Sequence, residues 1–315
     1  MVGVTTVVKI GGARAVDPDG ALADVADLVE SGEQVVVVHG GSTAVDETLE
    51  ALGEDPEYVE TPGGVVGRFT DERTMEVFEM VLPGKLNTDL TAGLRNEGVD
   101  ALGLSGVDGG LLTGPRKSAV RVLEDGRKKI RRGDHSGKIE SVDAELLDVL
   151  FDAGRTPVVT VPMLGVDGAT SIADAVANDD AALVPVNADA DRAAAAVAGA
   201  LGADLVVLTD VSGVYADPED ESTRIESVAT ADEWGDLESA AEGFMTKKVM
   251  AAREALEGGA ASVAVASANA AAPVTSALDG DATTILPSAL ESDPGDEGDD
   301  VDDDVDAEDA EVSAR

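Results

Sequence analysis

Short apolar runs alternate with amphipathic helical segments along most of this 315-residue chain. Apolar runs of four to eight residues predict buried strands, and an apolar stripe with a period near 3.6 predicts a helix. The predicted strands lie at 5–10, 34–38, 99–104, 157–161, 205–208 and 262–266, and the predicted helices at 21–29, 44–52, 71–94, 144–153, 192–201 and 247–257. This alternation predicts an α/β fold in which helices sandwich a mainly parallel open sheet.

The residue composition excludes several kinds of site. The chain has no cysteine, so it can form neither disulfides nor thiolate metal sites, and two histidines are too few for a histidine-based metal cluster. We therefore predict no protein-held metal. The first residues resemble a strand rather than a signal peptide, and no apolar run reaches the length of about 18 residues that a membrane span needs. We expect a soluble cytoplasmic protein with no membrane partner.

The chain is strongly acidic, with 64 acidic and 22 basic residues and a formal net charge of −42. Concentrated salt would screen the resulting repulsion, so we expect a halophilic proteome. Nucleic acid is not an expected partner, because its phosphates would meet an acidic surface. From residue 291 onward thirteen acidic residues replace the apolar pattern. We predict a folded region at 1–288 and a disordered acidic tail at 289–315.

One short stretch holds nine of the 22 basic residues. Apolar-containing runs at 120–122 and 129–131 flank an Asp-Gly pair, which predicts a β-hairpin. The nine residues are Arg116, Lys117, Arg121, Arg127, Lys128, Lys129, Arg131, Arg132 and Lys138. A charged run is ordinarily a solvated surface. In so acidic a chain, the alternative is a docking surface for an acidic partner.

Two glycine pairs follow predicted strands, in VKIGG and VHGGS. Lys9 lies at the end of a buried strand, where a charge is costly unless it faces an anion. Glycine lets backbone N–H groups approach phosphate closely, so the pairs indicate an anion site. The alternative is two ordinary tight turns, since the spacing is not that of a Walker A motif.

Two charged segments open predicted helices, VNADADR and GFMTKK. In the first, Asp189 or Asp191 could simply cap the helix. In the second, Lys247 and Lys248 are unfavourable at a helix N-terminus unless a polyphosphate binds there. Solvated surface lysine is the alternative.

Taken together, six motifs in this order resemble those of the amino acid kinase family, which has the acetylglutamate kinase fold: VVKIGG, VVHGGS, GGVVGRFTD, VNADADRAA, LTDVSGVY and GFMTKKVMAA. The resemblance covers about residues 4–287, nearly the whole folded chain. The resemblance implies an acyl-acceptor lobe at about 1–180 and a nucleotide lobe at about 181–288. HGGS, GRFTDERTMEVFEM, GLSGVDGGLL and the basic hairpin are most similar to the family's kinases of the carrier-protein-dependent lysine and arginine pathway, [LysW]-aminoadipate and [LysW]-glutamate kinase.

The resemblance also implies a reaction and a set of site residues. ATP would phosphorylate the side-chain carboxylate of glutamate or 2-aminoadipate carried by an acidic LysW-type protein, with Mg²⁺ held mainly by the ATP phosphates. The implied catalytic residues are Lys9, Lys248 and Asp191, the last holding the two lysines. The implied ligand-binding residues are Gly11 and Gly12 for phosphate; Gly40, Gly41, Ser42, Arg68 and Asn187 for the acceptor; and Thr209, Asp210, Gly213 and Tyr215 for nucleotide. The basic hairpin would dock the carrier protein.

Some alternatives stay open at this point. A kinase for free N-acetylglutamate in arginine biosynthesis is the second enzyme hypothesis, and a non-catalytic regulator is the third. One methylene separates glutamate from 2-aminoadipate, which a pocket discriminates by only about 1–3 kcal/mol. The insert near 166–183 is longer than the family pattern and has no assigned role. The chain lacks the N-terminal extension of hexameric relatives, so we expect a homodimer.

Overall fold

The computed structural model describes residues 4–11, 18–64, 66–124, 126–169, 171–241 and 243–291. Gly12 and all of the predicted acidic tail beyond residue 291 lie outside the described residues. In the described part of the chain, no helix is both long and apolar enough to cross a membrane.

Twelve strands of the described residues form one sheet, and two more form a separate ribbon. In chain order the strands are β1 (Thr5–Ile10), β2 (Gln34–His39), β3 (Tyr58–Glu60), β4 (Val66–Arg68), β5 (Ala101–Gly106), β6 (Leu112–Glu124), β7 (Arg127–Gly137), β8 (Ser141–Val142), β9 (Thr156–Asp167), β10 (Ala182–Val186), β11 (Asp204–Thr209), β12 (Ser227–Val228), β13 (Ser262–Ser267) and β14 (Thr283–Ile285).

The α-helices of the described residues mostly connect these strands. They are α1 (Pro18–Glu30), α2 (Ser42–Ala51), α3 (Glu72–Glu79), α4 (Asn87–Asn96), α5 (Ala144–Asp152), α6 (Ile172–Ala177), α7 (Ala190–Leu201), α8 (Ala231–Ala240), α9 (Phe244–Glu257) and α10 (Pro273–Leu278). A π-helical segment, Met80–Leu86, joins α3 to α4.

The large sheet has the strand order β12-β14-β13-β11-β1-β2-β9-β6-β7. The central pairs from β13 through β9 are parallel, and β9 also pairs in parallel with β5 and β6. Antiparallel pairs occur where β14, β7, β8 and β10 join. The predicted fold class is therefore confirmed, including the β-hairpin, which is formed by β6 and β7.

Two hydrophobic clusters cover opposite faces of the sheet. Alternate residues of each strand divide between them: Val36 and Val38 belong to the first cluster, whereas Val35 and Val37 belong to the second. Helices α7 and α9 contribute to the first cluster, and α1 and α10 to the second. Burial on both faces explains why the central strands read as continuous apolar runs rather than as alternating ones.

The helix predicted at 71–94 is a single helical run whose middle part is π-helical rather than α-helical. Residues of α3 and the π-helical segment pack in the first cluster, while Leu94 of α4 packs in the second. Pro83 lies inside the π-helical segment, where its missing N–H interrupts the regular hydrogen-bond ladder. Segments of this kind recur at functional sites.

The insert near 166–183, to which the sequence analysis assigned no structure, contains regular secondary structure in its described residues. Strand β9 continues to Asp167, and β10 returns antiparallel beside it from Ala182. The helix α6 lies between them, with Ser171 accepting a hydrogen bond from the Asp174 N–H as its cap. The predicted strand at 157–161 was too short because its continuation contains Pro162 and Gly165, residue types that are depleted in strands.

Candidate functional site

The carboxyl ends of parallel strands bring three of the predicted segments to one edge of the sheet. Strand β1 lies between β2 and β11, with Lys9 in register with Val38 and Val207. The chain leaves this edge at Gly11, Gly40 and Asp210. In open α/β sheets this is the edge where ligands bind.

Asp191 lies between the two predicted catalytic lysines. Its carboxylate forms one ion pair with Lys9, and its Oδ2 lies 3.6 Å from Lys248 Nζ. The three side chains are only 12%, 7% and 16% exposed for Asp191, Lys9 and Lys248. Burial raises the pKa of Asp191, but the charges of Lys9 and Lys248 outweigh burial and hold that pKa below its usual value. The ionised cluster carries one net positive charge, which suits an anion.

The helix cap of α7 explains why Asp191 is available to the lysines. Asp189, not Asp191, is the N-cap residue, and its carboxylate accepts hydrogen bonds from the N–H groups of Asp191 and Arg192 at 2.9 and 3.2 Å. The two aspartates that the sequence left as alternative caps thus have separate roles. Capping by Asp189 sets the start of α7, and Asp191, the second residue of that helix, forms its ion pair with Lys9 of β1.

The two consecutive lysines of α9 have different partners. Lys247 Nζ donates a hydrogen bond to the Val66 carbonyl of β4 at 2.8 Å, while Lys248 faces Asp191. Gly243 supplies no side-chain cap to α9. Lys247 therefore links helix α9 to the β3–β4 ribbon.

Close packing leaves little room for a side chain on the glycines that follow β2. A Cβ on Gly41 would lie 2.2 Å from Leu86 Cδ1 and 2.7 Å from Leu82 Cδ2, both in the π-helical segment. A Cβ on Gly40 would lie 3.1 Å from Ala190 Cβ at the start of α7. Gly11 follows β1 on the same edge, and Gly12 lies outside the described residues.

Arg68 lies in a cluster that the sequence did not reveal. Its guanidinium forms an ion pair with Asp46 and donates hydrogen bonds to Ser42 Oγ at 2.9 Å and Tyr58 OH at 2.8 Å. Tyr58 in turn donates to Asp46 at 2.8 Å. Burial and the hydrogen bond to Asp46 raise the Tyr58 pKa. Arg68 and Ser42 therefore lie together, and Asp46 and Tyr58 also bind the guanidinium.

Asn187 is joined to the segment after Arg68. Its Nδ2 donates to Thr70 Oγ1 at 3.0 Å, while its backbone N–H donates to the His135 carbonyl at 2.7 Å. Asp134, which is fully buried, accepts a hydrogen bond from the Thr70 N–H at 3.2 Å. Asp134 and His135, at the base of the basic hairpin, therefore lie beside Thr70 and Asn187.

The predicted nucleotide-side residues lie at the carboxyl end of β11 and in the segment that follows it. Thr209 donates to the adjacent Asp210 carboxylate at 3.0 Å, and Tyr215 forms an isolated bridge with Arg224. Gly213 has φ of 150°, and a Cβ there would lie 2.6 Å from Thr283 Oγ1.

A cavity of about 200 Å³ opens beside this loop. It is lined by Ser212, Ala266, Ser267, Asn269, Ala270, Pro273, Ser276 and Asp281. Sequence reasoning missed this lining, although the small polar residues that follow the last long parallel strand were a usable signal. Among the described residues, no group of three or more His, Asp or Glu could hold a metal ion.

The basic hairpin has two unlike faces. On one, Arg131 pairs with Glu57 and stacks 4.0 Å from the Phe69 ring centroid, and Lys129 Nζ lies 2.7 Å from Glu124. Arg116, at the base of the hairpin, lies 2.7 Å from Asp167. The remaining six cations form no ion pair with any residue that the structure describes: Lys117, Arg121, Arg127, Lys128, Arg132 and Lys138.

Strand register places three of those six on one surface. Arg121 is paired with Ile130, Leu123 with Lys128, and Ala119 with Arg132, so these side chains share a face. Ile130, at the centre of this face, is 67% exposed. We call Arg121, Lys128, Arg132 and Ile130 the exposed basic face.

Known proteins resemble this chain over most of its length. The model of the amino acid kinase family matches residues 4–267. A protein of Deinococcus radiodurans named [LysW]-aminoadipate kinase is 40% identical over 280 residues, covering 89% of this chain and 90% of the relative. A Thermus thermophilus protein of the same name is 38% identical, with 89% and 99% covered. An acetylglutamate kinase of Methanopyrus kandleri is 40% identical over 80% of this chain and 91% of its own length.

Solved structures show the same fold. An N-acetylglutamate synthase from Neisseria gonorrhoeae, complexed with coenzyme A and N-acetyl-glutamate, aligns with a TM-score of 0.68 and 25% identity over 91% of this chain, which spans 60% of that synthase. A carbamate kinase from Giardia lamblia bound to AMP-PNP aligns with a TM-score of 0.62 and 16% identity, covering 90% of this chain and 98% of the kinase. The chain belongs to the amino acid kinase family.

Proposed function

We propose that this chain transfers the γ-phosphoryl group of ATP to the side-chain carboxylate of glutamate or 2-aminoadipate attached to an acidic amino-group carrier protein. The product is an acyl phosphate in arginine or lysine biosynthesis. The observation that carries the proposal is the buried Lys9–Asp191–Lys248 cluster at the strand ends, beside the glycine turn of β2. Relatives named [LysW]-aminoadipate kinase support the carrier-bound acceptor.

The lysine cluster supports phosphoryl transfer by electrostatics and positioning. An acceptor carboxylate is already ionised near neutral pH, so it can attack the γ-phosphorus without a general base. One P–O bond forms to the carboxylate oxygen as the bond to the ADP oxygen breaks. Negative charge spreads over the transferring group, and Lys9 and Lys248 would stabilise it from either side of Asp191.

The acceptor would lie beside Arg68, Asn187, Ser42 and the glycines after β2. Arg68 has a planar guanidinium suited to a carboxylate, but Asp46 already pairs with it. We infer that Asp46 orients Arg68 and that the acceptor shares its remaining N–H groups. Gly11 and Gly12 would complete the phosphate cradle.

Nucleotide would bind around Thr209, Asp210, Gly213 and Tyr215, with the base in the cavity of about 200 Å³. Mg²⁺ would arrive on the ATP phosphates and neutralise part of their charge, because Asp191, the acidic residue of the buried cluster, is engaged by two lysines. We further propose that 1–180 and 181–288 act as acceptor and nucleotide lobes of a cytoplasmic homodimer.

The exposed basic face would dock the carrier protein. Its cations have no acidic partners among the described residues, and its central isoleucine offers an apolar contact. An acidic protein fits this surface by charge, which would chiefly speed encounter and fix orientation. Because the chain has an overall charge of −42, a negatively charged partner would bind at this basic face rather than at the acidic remainder of the surface.

The decisive experiment compares acceptors. Purified enzyme with ATP and Mg²⁺ is given carrier protein loaded with glutamate, carrier protein loaded with 2-aminoadipate, or free N-acetylglutamate, and acyl phosphate is trapped with hydroxylamine. Turnover of a loaded carrier at far higher kcat/KM than the free compound supports the proposal. The reverse preference supports the second candidate, an N-acetylglutamate kinase, which the Methanopyrus kandleri relative favours.

A further inference from the structure

His39 is buried at the carboxyl end of β2, on the sheet face opposite to Lys9. It is 1% exposed, and Val37, two residues earlier, packs in the second hydrophobic cluster. Lys9 is in register with Val38, which packs in the first cluster. Because side chains alternate along a strand, the imidazole faces away from the lysine cluster. It therefore has no direct part in the ionic site.

The imidazole nevertheless bridges two groups beside the glycine turn. Its Nδ1 lies 2.9 Å from the Gly40 carbonyl oxygen, and its Nε2 lies 3.2 Å from Asn87 Nδ2. A carbonyl only accepts and an amide NH₂ only donates, so Nδ1 carries the proton and Nε2 accepts. Asn87 Nδ2 gives its other hydrogen to the Val158 carbonyl at 2.8 Å. The network thus selects one neutral tautomer.

The surroundings keep this imidazole neutral. Burial lowers the pKa of His39 to about 4, the hydrogen bond to Gly40 acts against burial, and the positive charge of Lys9 lowers the pKa further. Lys9, on the neighbouring β1, is the charged group that acts on it. The other contacts come from neutral groups, namely Asn87 at the start of α4 and Thr160 of β9, whose Oγ1 donates to the His39 carbonyl at 3.1 Å.

Fixing the Gly40 carbonyl fixes the neighbouring N–H. In a trans peptide the C=O and the following N–H point in opposite directions, so the Gly41 N–H points away from the buried imidazole. A Gly-Gly peptide has little steric resistance to rotation, so its orientation needs external support. Leu82 and Leu86 of the π-helical segment lie where a Gly41 side chain would be, and Asn87 follows that segment directly.

We propose that His39 and Asn87 are positioning residues that hold the Gly40–Gly41 peptide in one orientation, with the Gly41 N–H presented to the reacting anion. The inference rests on the proposed function, in which this turn receives phosphoryl or carboxylate oxygens. A preorganised backbone donor of this kind contributes about 10²- to 10³-fold to kcat. Losing its orientation should therefore lower kcat more than it changes binding.

Two conservative variants separate the hydrogen bonds of the imidazole. Asparagine can place an amide near the position of Nδ1, whereas glutamine reaches the position of Nε2. We expect His39→Gln to lower kcat about 10²-fold with the KM for ATP within threefold, and His39→Asn to retain kcat within about tenfold. Asn87→Leu should lower kcat at least tenfold. Equal kcat values for folded Asn and Gln variants would overturn the proposal, and thermal unfolding checks that both are folded.

A readout on the unaltered protein does not depend on activity. The chain has two histidines, so ¹⁵N-imidazole spectra can be assigned with a His135→Gln variant. We expect His39 to show the Nδ1-protonated tautomer and no titration between pH 5 and 8. An Nε2-protonated ring, or a titration in that range, would overturn the proposal even if a variant failed to fold.

The two proposals fail in distinguishable ways. The kinetic comparison is made with whichever acceptor the unaltered enzyme phosphorylates. No turnover of a loaded carrier refutes the proposed function, whereas the tautomer and the Asn–Gln contrast decide the role of His39.

Discussion

Replacing Asp191 by asparagine should destabilise the protein as well as inactivate it. The carboxylate lies between Lys9 and Lys248, and all three side chains are 16% exposed or less. Removing one partner of a buried ion pair costs about 3–5 kcal/mol, because the remaining charge stays buried without compensation. At about 2–4 °C per kcal/mol for a domain of this size class, Asp191→Asn should lower Tm by about 6–20 °C.

A double variant tests whether the destabilisation arises from uncompensated lysine charge. Lys9→Met removes the closest positive charge, so Lys9→Met/Asp191→Asn should recover at least half of the lost Tm. Activity should not recover with it, since Lys9 is proposed to contact the transferring phosphoryl group. Thermal unfolding followed by circular dichroism at fixed salt measures the first effect, and hydroxylamine trapping of acyl phosphate measures the second. A fall of less than 2 °C in Asp191→Asn, or no recovery in the double variant, would refute this reasoning.

The pH dependence of the same variant has a defined sign. The pKa of Asp191 is lower in the folded protein than in the unfolded chain, so its ionised form favours folding. This contribution is fully present above the unfolded value of about 4 and is lost as pH falls through the lower folded pKa. The stability difference between unaltered protein and Asp191→Asn should therefore shrink on acidification below about pH 4.

The remaining predictions use matched variants. Lys248→Ala should lower kcat at least 10²-fold, whereas Lys247→Ala, which loses only a bond to a carbonyl, should lower it less than tenfold in steady-state assays. Gly41→Ala should cost about 1–3 kcal/mol in urea unfolding, because buried Leu82 cannot retreat, while Gly235→Ala, with open space around its Cβ position, should cost nothing. Reversing the three cations of the exposed basic face to glutamate should raise the KM for loaded carrier at least tenfold and that for ATP less than twofold; an equal effect on both would return this face to a solvated surface.

The fold was predictable because the central strands are buried on both faces. Apolar runs such as 5–10 and 205–208 leave little choice of secondary structure, and the helical periodicity between them sets the connections. The continuation of β9 to Asp167 was not predictable, since it is held by β6 and β10 from distant parts of the chain. Long-range pairing overrides local composition there.

The candidate site was predictable where a charged residue would destabilise the fold unless an oppositely charged group lay beside it. Lys9 on a buried strand and Lys248 at a helix start both require an anion, and Asp191 meets both. The pairing of Arg68 with Asp46 was not readable, because surface acids are too numerous in this chain to single one out. The separation of the basic hairpin into two faces needed the strand register, which cannot be read without the turn and bulge geometry.

Strand β9 limits where this chain can change length. It pairs with β2, β5, β6 and β10, so one residue added or removed within it would turn alternate side chains to the wrong face against four neighbours at once. The excursion between β9 and β10 carries the mostly exposed helix α6 and contributes little to the core. Insertions and deletions should therefore be tolerated in 168–181, which makes that segment the natural place to attach a tag or reporter.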